Sequence, residues 1–580
     1  MGNLTELFIP FPPQLMSSAR APSKMPMEFA REIVNMYMRQ DGAGSKRNGC
    51  TAIGDALEAD INRLMHYIKG DGTVQILAAT ADGKIYLKDG STWQEVYSGL
   101  DTDGTIRWTH FAGRLVICNG VDDLISWDGT SFSIVQQSIV DAGANLTYLT
   151  PTTFSIESDA AFYQPGTTVQ ARLGGSTYVN STVASVSGAG TITVVLNDTV
   201  LTNVLNEVSF TAKPPKFAYV YPAHDRLWGF GEGPLQPDSF GTDVDRSRIY
   251  YTAGLNDETA WRDTDGLLQS INIADKMPVL DEVMAMGVKD GLTVFFCRNH
   301  TQVWSGFDPT ATGDFSWVKT LPLGVVHGDL VVDLPNDVGF FTRYGARTLS
   351  RTLQTEQLDI GDFGAEIDPT LGQAVNSMLQ NVANYRQVEA FKYDAQGWFG
   401  FKPASESLVF QISGSGRGWT VFKGLFASAT AFLNTPDGKL YLASGGQLYE
   451  YDESVWADGT AAIETRWWTP WLNVGNNFKR WANKVVEVIS DQGAVAEVML
   501  RRFKNYDSSS FIQNSVTASV AADYWDDGEW DNGLWDNGVS KPELKRDHFV
   551  ADVFSYAIES NNTAGPITLF GLKIRGVKEQ

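Results

Sequence analysis

Apolar and polar residues alternate over short stretches along most of this chain, and the alternation restarts after turn signals. Residues 82–87 (DGKIYL) and 437–442 (DGKLYL) are nearly identical examples. An Asp-Gly turn followed by alternating residues is typical of a hairpin entering a β-strand. Looser copies occur between them, at residues 111–117, 225–230, 290–295, 337–341 and 395–400. The pattern predicts a unit of short antiparallel strands that is repeated about seven times.

A second phrase indicates the length of the repeat. Residues 88–93 (KDGSTW) return in related form as residues 127–132 (WDGTSF), a step of 39 residues. Propeller blades, which are four-stranded antiparallel sheets, repeat at roughly 40 to 50 residues. We therefore expect a mainly β chain built on a β-propeller of about 6–8 blades. The count stays open because insertions blur the period and because the first strand could complete the last blade.

Changes in composition along the chain predict five parts. Residues 138–213 are rich in Thr, Ser, Val and Gly, unlike the Trp-containing units on either side. The Pro-rich start is expected to be an extended arm that lies against another element, and residues 28–38 fit a short helix or a strand. The predicted parts are an arm with a first strand (1–61), blades (62–137), an inserted β-sandwich or barrel (138–213), further blades (214–462) and a C-terminal β-sandwich (463–580).

One amphipathic helix is predicted within the second group of blades, at residues 369–382. Asp368 precedes it and is expected to accept hydrogen bonds from the first-turn amides. Leu371, Val375 and Met378 follow helical spacing, which predicts one buried face. Two interpretations stay open for these residues: a contact between subunits, or packing of the helix on its own propeller.

Trp525, Trp530 and Trp535 each open a Trp-Asp-x-Gly unit, at a strict five-residue step. The Asp-Gly and Asn-Gly pairs favour turns, and three tryptophans at this spacing cannot all point into the core of a small domain. We interpret this loop as a candidate docking surface for another protein. A self-packed aromatic loop is one alternative. A calcium or sugar site is another, although the ligand spacing of an EF-hand is absent.

Composition limits the classes of partner. The 580 residues carry a formal net charge of -23, which repels phosphate and argues against tight nucleic-acid binding. Cys50, Cys118 and Cys297 lie far apart and are expected to be buried thiols without a disulfide framework or a metal pair. The first residues do not read as a signal peptide, and no run of about 20 apolar residues predicts a membrane-spanning helix.

Motifs that carry chemistry are not found in the sequence. The six histidines form no i, i+4 pair, and neither a nucleophile elbow nor a phosphate-binding Gly-Lys-Ser/Thr loop occurs. Residues 88–93 depart from the sialidase-type repeat because Gly follows Asp directly. The sequence therefore predicts a protein that is not an enzyme and holds no metal or cofactor. A glycan-processing or glycan-binding propeller and a cellular interaction scaffold are the alternatives.

Several short phrases resemble, in their order, the tail hub, nozzle or stabilisation proteins of short-tailed bacteriophages. They are residues 33–37 (IVNMY), 46–50 (KRNGC), 225–229 (DRLWG), 287–306 with TQVW at 301–304, and 570–575 (FGLKIR). Asn48 stands where that family commonly has proline, and the inserted domain is not general in it. Proteins of this family close the portal channel and connect it to tail fibres or spikes.

The resemblance implies a structural virion protein, assembled in the host cytoplasm, that forms a ring with copies of itself, expected to be a hexamer. The implied partners are portal or adaptor proteins and tail fibre or spike proteins. The genome would pass through the lumen of the ring during ejection without tight binding. The acidic composition is compatible with that role, because an acidic wall raises the cost of phosphate contact.

Overall fold

The structure is a computed structural model that describes residues 5–141, 144–174, 177–232, 246–263, 266–278, 281–334, 337–355, 362–380, 385, 388–403, 406–413, 416–473, 481–490, 496–518, 545–563 and 565–578. Short antiparallel strands dominate these residues, and helices are few. The prediction of a mainly β chain is therefore confirmed.

Five short strands open the chain. They are β1 (Thr5–Pro10), β2 (Glu32–Val34), β3 (Met36–Met38), β4 (Gly44–Lys46) and β5 (Gly49–Ala52), with a 3-10 helix at Pro22–Lys24. Of the two alternatives for residues 28–38, strand is the one present. Asn35 has a φ of 52°, which separates β2 from β3 and cannot occur inside a right-handed helix.

Two four-stranded antiparallel sheets follow, which we call sheets 1 and 2. Sheet 1 contains β6 (Ile61–Ile68), β7 (Val74–Thr80), β8 (Lys84–Asp89) and β9 (Thr92–Ser98). Sheet 2 contains β10 (Arg107–Phe111), β11 (Arg114–Cys118), β12 (Ile125–Trp127) and β13 (Phe132–Ile134).

Seven strands between Gln137 and Ala212 surround an apolar core of their own, which includes Phe154, Val169 and Ile192. The long strand β18 pairs with β17 on one side and with β19 on the other, and so joins the strands of this unit into one sheet. The strands are β14 (Gln137–Val140), β15 (Ala144–Thr150), β16 (Thr153–Glu157), β17 (Thr168–Leu173), β18 (Thr177–Ala189), β19 (Thr191–Leu196) and β20 (Leu205–Ala212), with a 3-10 helix at Ala160–Tyr163.

Sheets 3 to 5 come next. Sheet 3 contains β21 (Phe217–Ala223), β22 (Arg226–Glu232), β23 (Arg248–Tyr251) and β24 (Ser270–Asn272), followed by a 3-10 helix at Ala274–Lys276. Sheet 4 contains β25 (Val283–Lys289), β26 (Leu292–Cys297), β27 (Thr301–Ser305) and β28 (Ser316–Leu321). Sheet 5 contains β29 (Val331–Leu334), β30 (Asp337–Thr342) and β31 (Gly345–Thr348), preceded by a 3-10 helix at Gly328–Leu330.

Sheets 6 and 7 complete this series. Sheet 6 contains β32 (Glu389–Tyr393), β33 (Trp398–Lys402), β34 (Ser407–Ser413) and β35 (Gly416–Phe422), with a 3-10 helix at Asp394–Gln396. Sheet 7 contains β36 (Ala431–Asn434), β37 (Leu440–Ser444) and β38 (Gln447–Asp452). Its fourth strand is β5 from the start of the chain, which pairs with β38. β5, which comes before sheet 1 in the chain, thus completes the last sheet. This is one of the arrangements that the sequence left open.

The turns predicted from the repeat are present. Gly83 and Gly438 have φ values of 78° and 83°, and each follows Asp at the entrance to a strand. Thr80 and Thr435 close the two turns in the same way, because each hydroxyl donates to the carbonyl of the residue four positions on. A left-handed conformation at this position favours glycine, which explains why Asp-Gly recurs.

The seven sheets contact one another in a closed circle. Contacts link β6 with β10, β10 with β21, β21 with β25, β25 with β30, β29 with β32, β32 with β36, and β36 with β6 again. The strands nearest the centre are therefore the first strands of successive sheets. In sheet 5 the second strand, β30, also contributes to this circle of contacts. Large aromatic side chains fill the spaces between sheets, and Phe341 of sheet 5 stacks on Phe401 of sheet 6 at 4.2 Å between ring centroids.

Both ends of the chain meet in one further unit, which we call the terminal domain. It contains β39 (Ala457–Asp458), β40 (Ala461–Trp468), β41 (Trp481–Ser490), β42 (Ala496–Lys504), β43 (Asp507–Ala518), β44 (Lys545–Ala551), β45 (Phe554–Asn562) and β46 (Thr568–Lys578), together with β1 to β4. In one sheet, β46 pairs with β1, β4 and β41, while the other has the order β2-β40-β45-β42-β43.

The first strand of the N-terminal arm lies against another element of the same chain. β1 pairs with β46 over six residues, from Thr5 opposite Gly576 to Pro10 opposite Gly571. Ile9 is 1% exposed and packs in a core shared by the two sheets of the terminal domain. The sequence could not reveal this pairing because the two strands lie at opposite ends of the chain.

Three helices are described: α1 (Leu349–Thr355), α2 (Asp368–Leu379) and α3 (Leu425–Ser428). Helix α2 begins at Asp368 itself, with Ile367 as its N-cap and no side-chain cap. The expectation that Asp368 caps the helix is therefore wrong. Its carboxylate instead lies 2.9 Å from Nη2 of the buried Arg347, because a charged partner competes better for it than the first-turn amides.

Candidate functional site

The most concentrated polar site lies at the centre of the circle of sheets, around Asp329. This residue sits on the 3-10 helix Gly328–Leu330, which leads into β29. A side chain at Gly328 would collide with the carbonyl of Met284 and the ring of Tyr219, so glycine allows the helix to pack closely on sheets 3 and 4. The close packing projects Asp329 toward the strands on the other side of the centre.

Asp329 makes ion pairs with two other sheets. Its Oδ1 lies 2.7 Å from Nε of Arg107, and its Oδ2 lies 3.0 Å from Nη2 of both Arg107 and Arg63. Arg63 also donates from Nη1 to Oε1 of Glu389 at 2.6 Å, and Oε2 of Glu389 accepts from the amide of Phe432 at 2.9 Å. These contacts connect sheets 1, 2, 5, 6 and 7 through buried side chains.

The two carboxylates of this network respond differently to burial. Burial alone would raise the pKa of Asp329, but the positive charges of Arg107 and Arg63 outweigh it and hold that pKa well below its usual value. Burial raises the pKa of Glu389, and the opposing charge of Arg63 does not compensate for it. Asp329 is therefore the principal counter-charge of the two guanidinium groups.

A second buried cluster lies at the start of β25. Glu282 accepts from Nη1 of Arg246 at 2.6 Å and from Nη2 of Arg298 at 2.8 Å. The neighbouring Asp281 accepts from the backbone amide of Asn299 at 2.8 Å, and its Oδ2 lies 3.1 Å from Nδ1 of His300. The acidic side chains of both clusters are thus occupied by basic groups and amides of the chain itself.

His327 lies between the two clusters and is fully buried. Its Nδ1 accepts from the backbone amide of Asp329 at 3.1 Å, and its ring lies 4.5 Å from that of Tyr385. Burial lowers the pKa of His327 to about 3, so the ring is neutral at ordinary pH. Its Nε2 and the Tyr219 hydroxyl are buried without a hydrogen-bond partner. The neutral ring adds no charge to a centre in which carboxylates and guanidinium groups face each other.

A cavity of about 300 Å³ lies beside this network, at the end of the circle where β6 begins. Arg63 and Glu389 contribute to its lining together with Asp60, Asn62 and Asp101. Because Arg63 and Glu389 bind each other, they do not present a free charge to the cavity. Its remaining polar lining consists of carboxylate, amide and hydroxyl groups, which suit a small hydroxylated molecule better than an anion.

A third buried cluster joins the terminal domain to the circle of sheets, and its residues belong to the phrases 33–37 and 46–50. Arg47 is fully buried; its Nη1 and Nη2 lie 2.8 and 2.6 Å from the carboxylate of Asp458, and its Nε donates to Oδ1 of Asn35 at 3.0 Å. Asn35 also accepts from the amide of Lys423, just after sheet 6, and donates to the carbonyl of Glu464. These phrases therefore build a structural junction.

The residues predicted to form an interface fall into two groups. Trp525, Trp530 and Trp535 lie outside the described residues. Leu371, Val375 and Met378 are 0%, 2% and 0% exposed and pack in the core formed by sheets 3 to 6. Of the two interpretations of the helix, packing on its own chain is the one present, and these three side chains are covered and cannot contact a partner.

The prediction that the three cysteines are free, buried thiols is confirmed. Burial raises the pKa of each, to about 12 for Cys118, so none is a reactive thiolate. Within the part of the chain that is described, no group of three or more His, Cys, Asp or Glu side chains could hold a metal ion. No helix among the described residues is long and apolar enough to cross a membrane.

The sequence did not identify the ion-paired centre. Its one local signal was a charged residue near the start of a first strand, as with Arg63 in β6, Arg107 in β10 and Glu389 in β32. The histidine pair was also missed. His66 and His110 come together between sheets 1 and 2, with ring centroids 4.7 Å apart, and Nδ1 of His66 and Nε2 of His110 are buried without a partner.

Comparison with known proteins gave structural similarities only. No family model matches the chain, and no curated protein matches it in sequence. The computationally designed Ika8 protein is similar over 70% of this chain and 100% of its own, with 10% identity and a TM-score of 0.30. BamB from Moraxella catarrhalis is similar over 77% and 97%, with 10% identity and a TM-score of 0.31. The phage phi92 endosialidase is similar over 95% and 75%, with 12% identity and a TM-score of 0.25. At these TM-scores the similarities carry no argument about function.

Proposed function

We propose that this chain is a structural subunit of a virus particle: the hub or nozzle protein of a short-tailed bacteriophage tail, built on a seven-bladed β-propeller. Sheets 1 to 7 would be the blades, with β5 closing the seventh, and the terminal domain would be a β-sandwich that contains both chain ends. Support for the propeller comes from the closed circle of contacts between first strands.

The observation that carries the proposal is the neutralised centre of the circle. Acid–base catalysis needs a titratable side chain that is free to exchange a proton with a bound molecule. Here the Asp329 carboxylate is held by Arg107 and Arg63, and Glu282 is held by Arg246 and Arg298. Ion pairs link sheets 1, 2, 5 and 6, and a hydrogen bond from the Phe432 amide to Glu389 adds sheet 7. A network of this kind suits a structural role better than catalysis.

The resemblance in sequence supplies the remainder of the proposal. Subunits would assemble into a ring, expected to contain six copies, that extends the channel of a portal or adaptor and carries or contacts tail fibres or spikes. The genome would pass between the copies, through the lumen of the ring, because the centre of each propeller is filled by side chains. A net charge of -23 favours a lumen that does not hold DNA.

The proposal is tested by imaging the purified full-length chain, mixed with a candidate portal complex, in negative stain. We expect annular particles attached coaxially to one end of the portal. Fluorescence anisotropy with duplex DNA at 0.15 M salt should show a dissociation constant no smaller than about 100 µM, the weak end of non-specific affinities. A chain that remains monomeric and does not bind the portal, or that binds DNA tightly, would contradict the proposal.

A second candidate function is glycan binding in the cavity beside Arg63. The observation in its favour is the mixture of carboxylate, amide and hydroxyl groups around about 300 Å³ of space. Saturation-transfer NMR with monosaccharides would test it. Transfer that disappears in an Asn62→Ala variant would favour this alternative over a purely structural role.

A further inference from the structure

Two loops of sheets 3 and 4 present apolar side chains to solvent. Leu255 lies in the loop between β23 and β24 and is 60% exposed, while Phe307 lies in the loop between β27 and β28 and is 58% exposed. Antiparallel pairing brings each loop to the same end of its sheet as the turn between the first two strands. Large apolar side chains that stay this exposed on neighbouring loops mark a candidate docking surface.

A buried arginine ties the two loops together. Nη1 of Arg226 donates to the carbonyls of Thr252 and Ala253, at 2.6 and 2.5 Å, where the first loop begins. Nη2 of the same side chain lies 3.0 Å from Oδ1 of Asp308, in the second loop. Because one buried guanidinium holds both loops, they keep a fixed position relative to each other.

The position of the Phe307 ring is fixed as well. Oδ2 of Asp314 accepts from the amides of Phe307 and Asp308, at 2.9 and 2.7 Å, and so closes the second loop. The ring of His224 lies edge-on to the Phe307 ring, with centroids 5.2 Å apart, and its Nε2 lies 2.7 Å from Oγ1 of Thr293. An exposed ring that is already held in place loses little conformational freedom when a partner covers it, which favours binding.

The charge around the two side chains is negative and is not compensated within the chain. Three exposed carboxylates make no ion pair with any described residue: Asp225, Asp257 and Asp314. The nearby cations are already paired, Arg226 with Asp308. Lys289, in the turn before β26, pairs with Asp290 at 3.5 Å. Burial lowers the pKa of His224, so its ring is neutral at neutral pH. The three carboxylates are therefore free to attract a cation of a partner.

We propose that this surface, formed by Leu255, Phe307, Asp225, Asp257 and Asp314, binds a segment of another protein in which lysine or arginine stands next to an apolar side chain. The apolar side chain would cover the exposed leucine and phenylalanine, and the basic group would pair with a free carboxylate. Charge complementarity favours this partner over nucleic acid, whose phosphates the carboxylates repel. It also favours it over a second copy, since the chain carries 68 acidic against 45 basic residues. The inference does not depend on the proposed ring.

The test measures, by fluorescence anisotropy, how the full-length chain binds a short labelled peptide in which lysine and leucine alternate. Leu255→Ser/Phe307→Ser removes the apolar side chains of the surface. Asp225→Asn/Asp257→Asn removes two of its charges, and asparagine keeps the turn conformations. We expect each double variant to weaken binding about tenfold or more, and we expect binding by the parent chain to weaken as the salt concentration rises.

Each variant has a matched control elsewhere in the chain. Tyr506→Ser/Phe511→Ser removes rings that are 49% and 44% exposed in the terminal domain. Asp275→Asn/Asp394→Asn removes two carboxylates that are 66% and 61% exposed, and so changes the net charge by the same amount. Both controls should bind the peptide like the parent chain. Unchanged unfolding midpoints of all four variants would show that binding, not folding, was altered.

The outcomes either support the inference or overturn it. A peptide of alternating glutamate and leucine should not bind, and equal binding of the two peptides would contradict the role of the carboxylates. The inference is wrong if the parent chain binds neither peptide, or if the surface variants bind the lysine peptide as the controls do. Self-association that is lost in Leu255→Ser/Phe307→Ser, seen by light scattering, would identify a second copy as the partner and also overturn it. A monomeric chain that binds the lysine peptide at this surface would contradict the proposed function and support this inference.

Discussion

The carboxylate of Asp329 and the guanidinium of Arg107 form a two-point ion pair, with Nε to Oδ1 at 2.7 Å and Nη2 to Oδ2 at 3.0 Å. Asp329 leads into sheet 5 and Arg107 opens sheet 2, so this pair spans the centre of the circle instead of joining adjacent sheets. Bidentate pairing of arginine with a carboxylate is strong and fixes orientation. The pair thereby fixes distant parts of the circle relative to one another.

Replacing Asp329 by Asn should destabilise the chain by about 3 kcal/mol, because two buried guanidinium groups lose their counter-charge. Equilibrium unfolding in urea measures the effect. Asp394→Asn is the control, since its pair with Lys392 has side chains that are 61% and 43% exposed, and we expect a change below about 0.5 kcal/mol. Equal effects of the two substitutions would contradict a special role of the centre.

Replacing Arg47 by Lys should loosen the junction between the terminal domain and the circle of sheets. Lysine keeps the charge but cannot reproduce the fork that binds Asp458 and Asn35 together. We expect a loss of about 2 kcal/mol or more and faster hydrogen exchange in β2 and β5.

The control for Arg47→Lys is Glu450→Gln, which breaks a more exposed pair with Lys439. Its effect on stability should stay below about 1 kcal/mol. If Arg47→Lys exchanges hydrogen at the parental rate in β2 and β5, the junction does not depend on this guanidinium.

Stability should fall as the pH drops from about 6.5 toward 4, partly because of His66 and His110. Burial, assisted by His110, lowers the pKa of His66 to about 4, and burial also lowers the pKa of His110. In this window the unfolded chain binds protons that the folded chain does not, so unfolding is favoured.

A His66→Gln/His110→Gln variant should lose less stability between pH 6.5 and 4 than the parent chain, by about 1 to 2 kcal/mol after allowing for partial exposure of the rings. Urea unfolding at several pH values gives the comparison. Parallel pH profiles for the two proteins would show that the pair does not titrate with folding.

The first strand should contribute to folding through one face only. Ile9→Ala removes a side chain that is 1% exposed in the core of the terminal domain, and a cost of about 2 to 4 kcal/mol is expected. Phe8→Ala, on the adjacent residue, removes a side chain that is 48% exposed and should cost less than about 1 kcal/mol. A neutral Ile9→Ala substitution would contradict the observed pairing of β1 with β46.

Features of this fold that depend on neighbouring residues could be predicted from the sequence, and those that depend on distant residues could not. The turns at Gly83 and Gly438 follow from local conformation, since few residues besides glycine accept a positive φ. The role of Asp368 was misread because Arg347, brought close by the fold, competes for its carboxylate. The partner of β1 lies at the other end of the chain, where no local pattern points to it.

The candidate site likewise depends on residues that are distant in the sequence. Arg63, Arg107, Asp329 and Glu389 come from four separate segments, and each of them alone reads as an ordinary surface charge in the sequence. Only the circular arrangement of sheets brings them within hydrogen-bond distance. Asn35 and Arg47, by contrast, belong to two short phrases that stood out in the sequence. In the structure their side chains bind each other in one buried junction.

The central claim, that copies of this chain form a ring, is tested most directly by native mass spectrometry of the purified full-length protein. We predict a single dominant assembly at six times the chain mass of 63.7 kDa. A species that remains at 63.7 kDa at every protein concentration would contradict it.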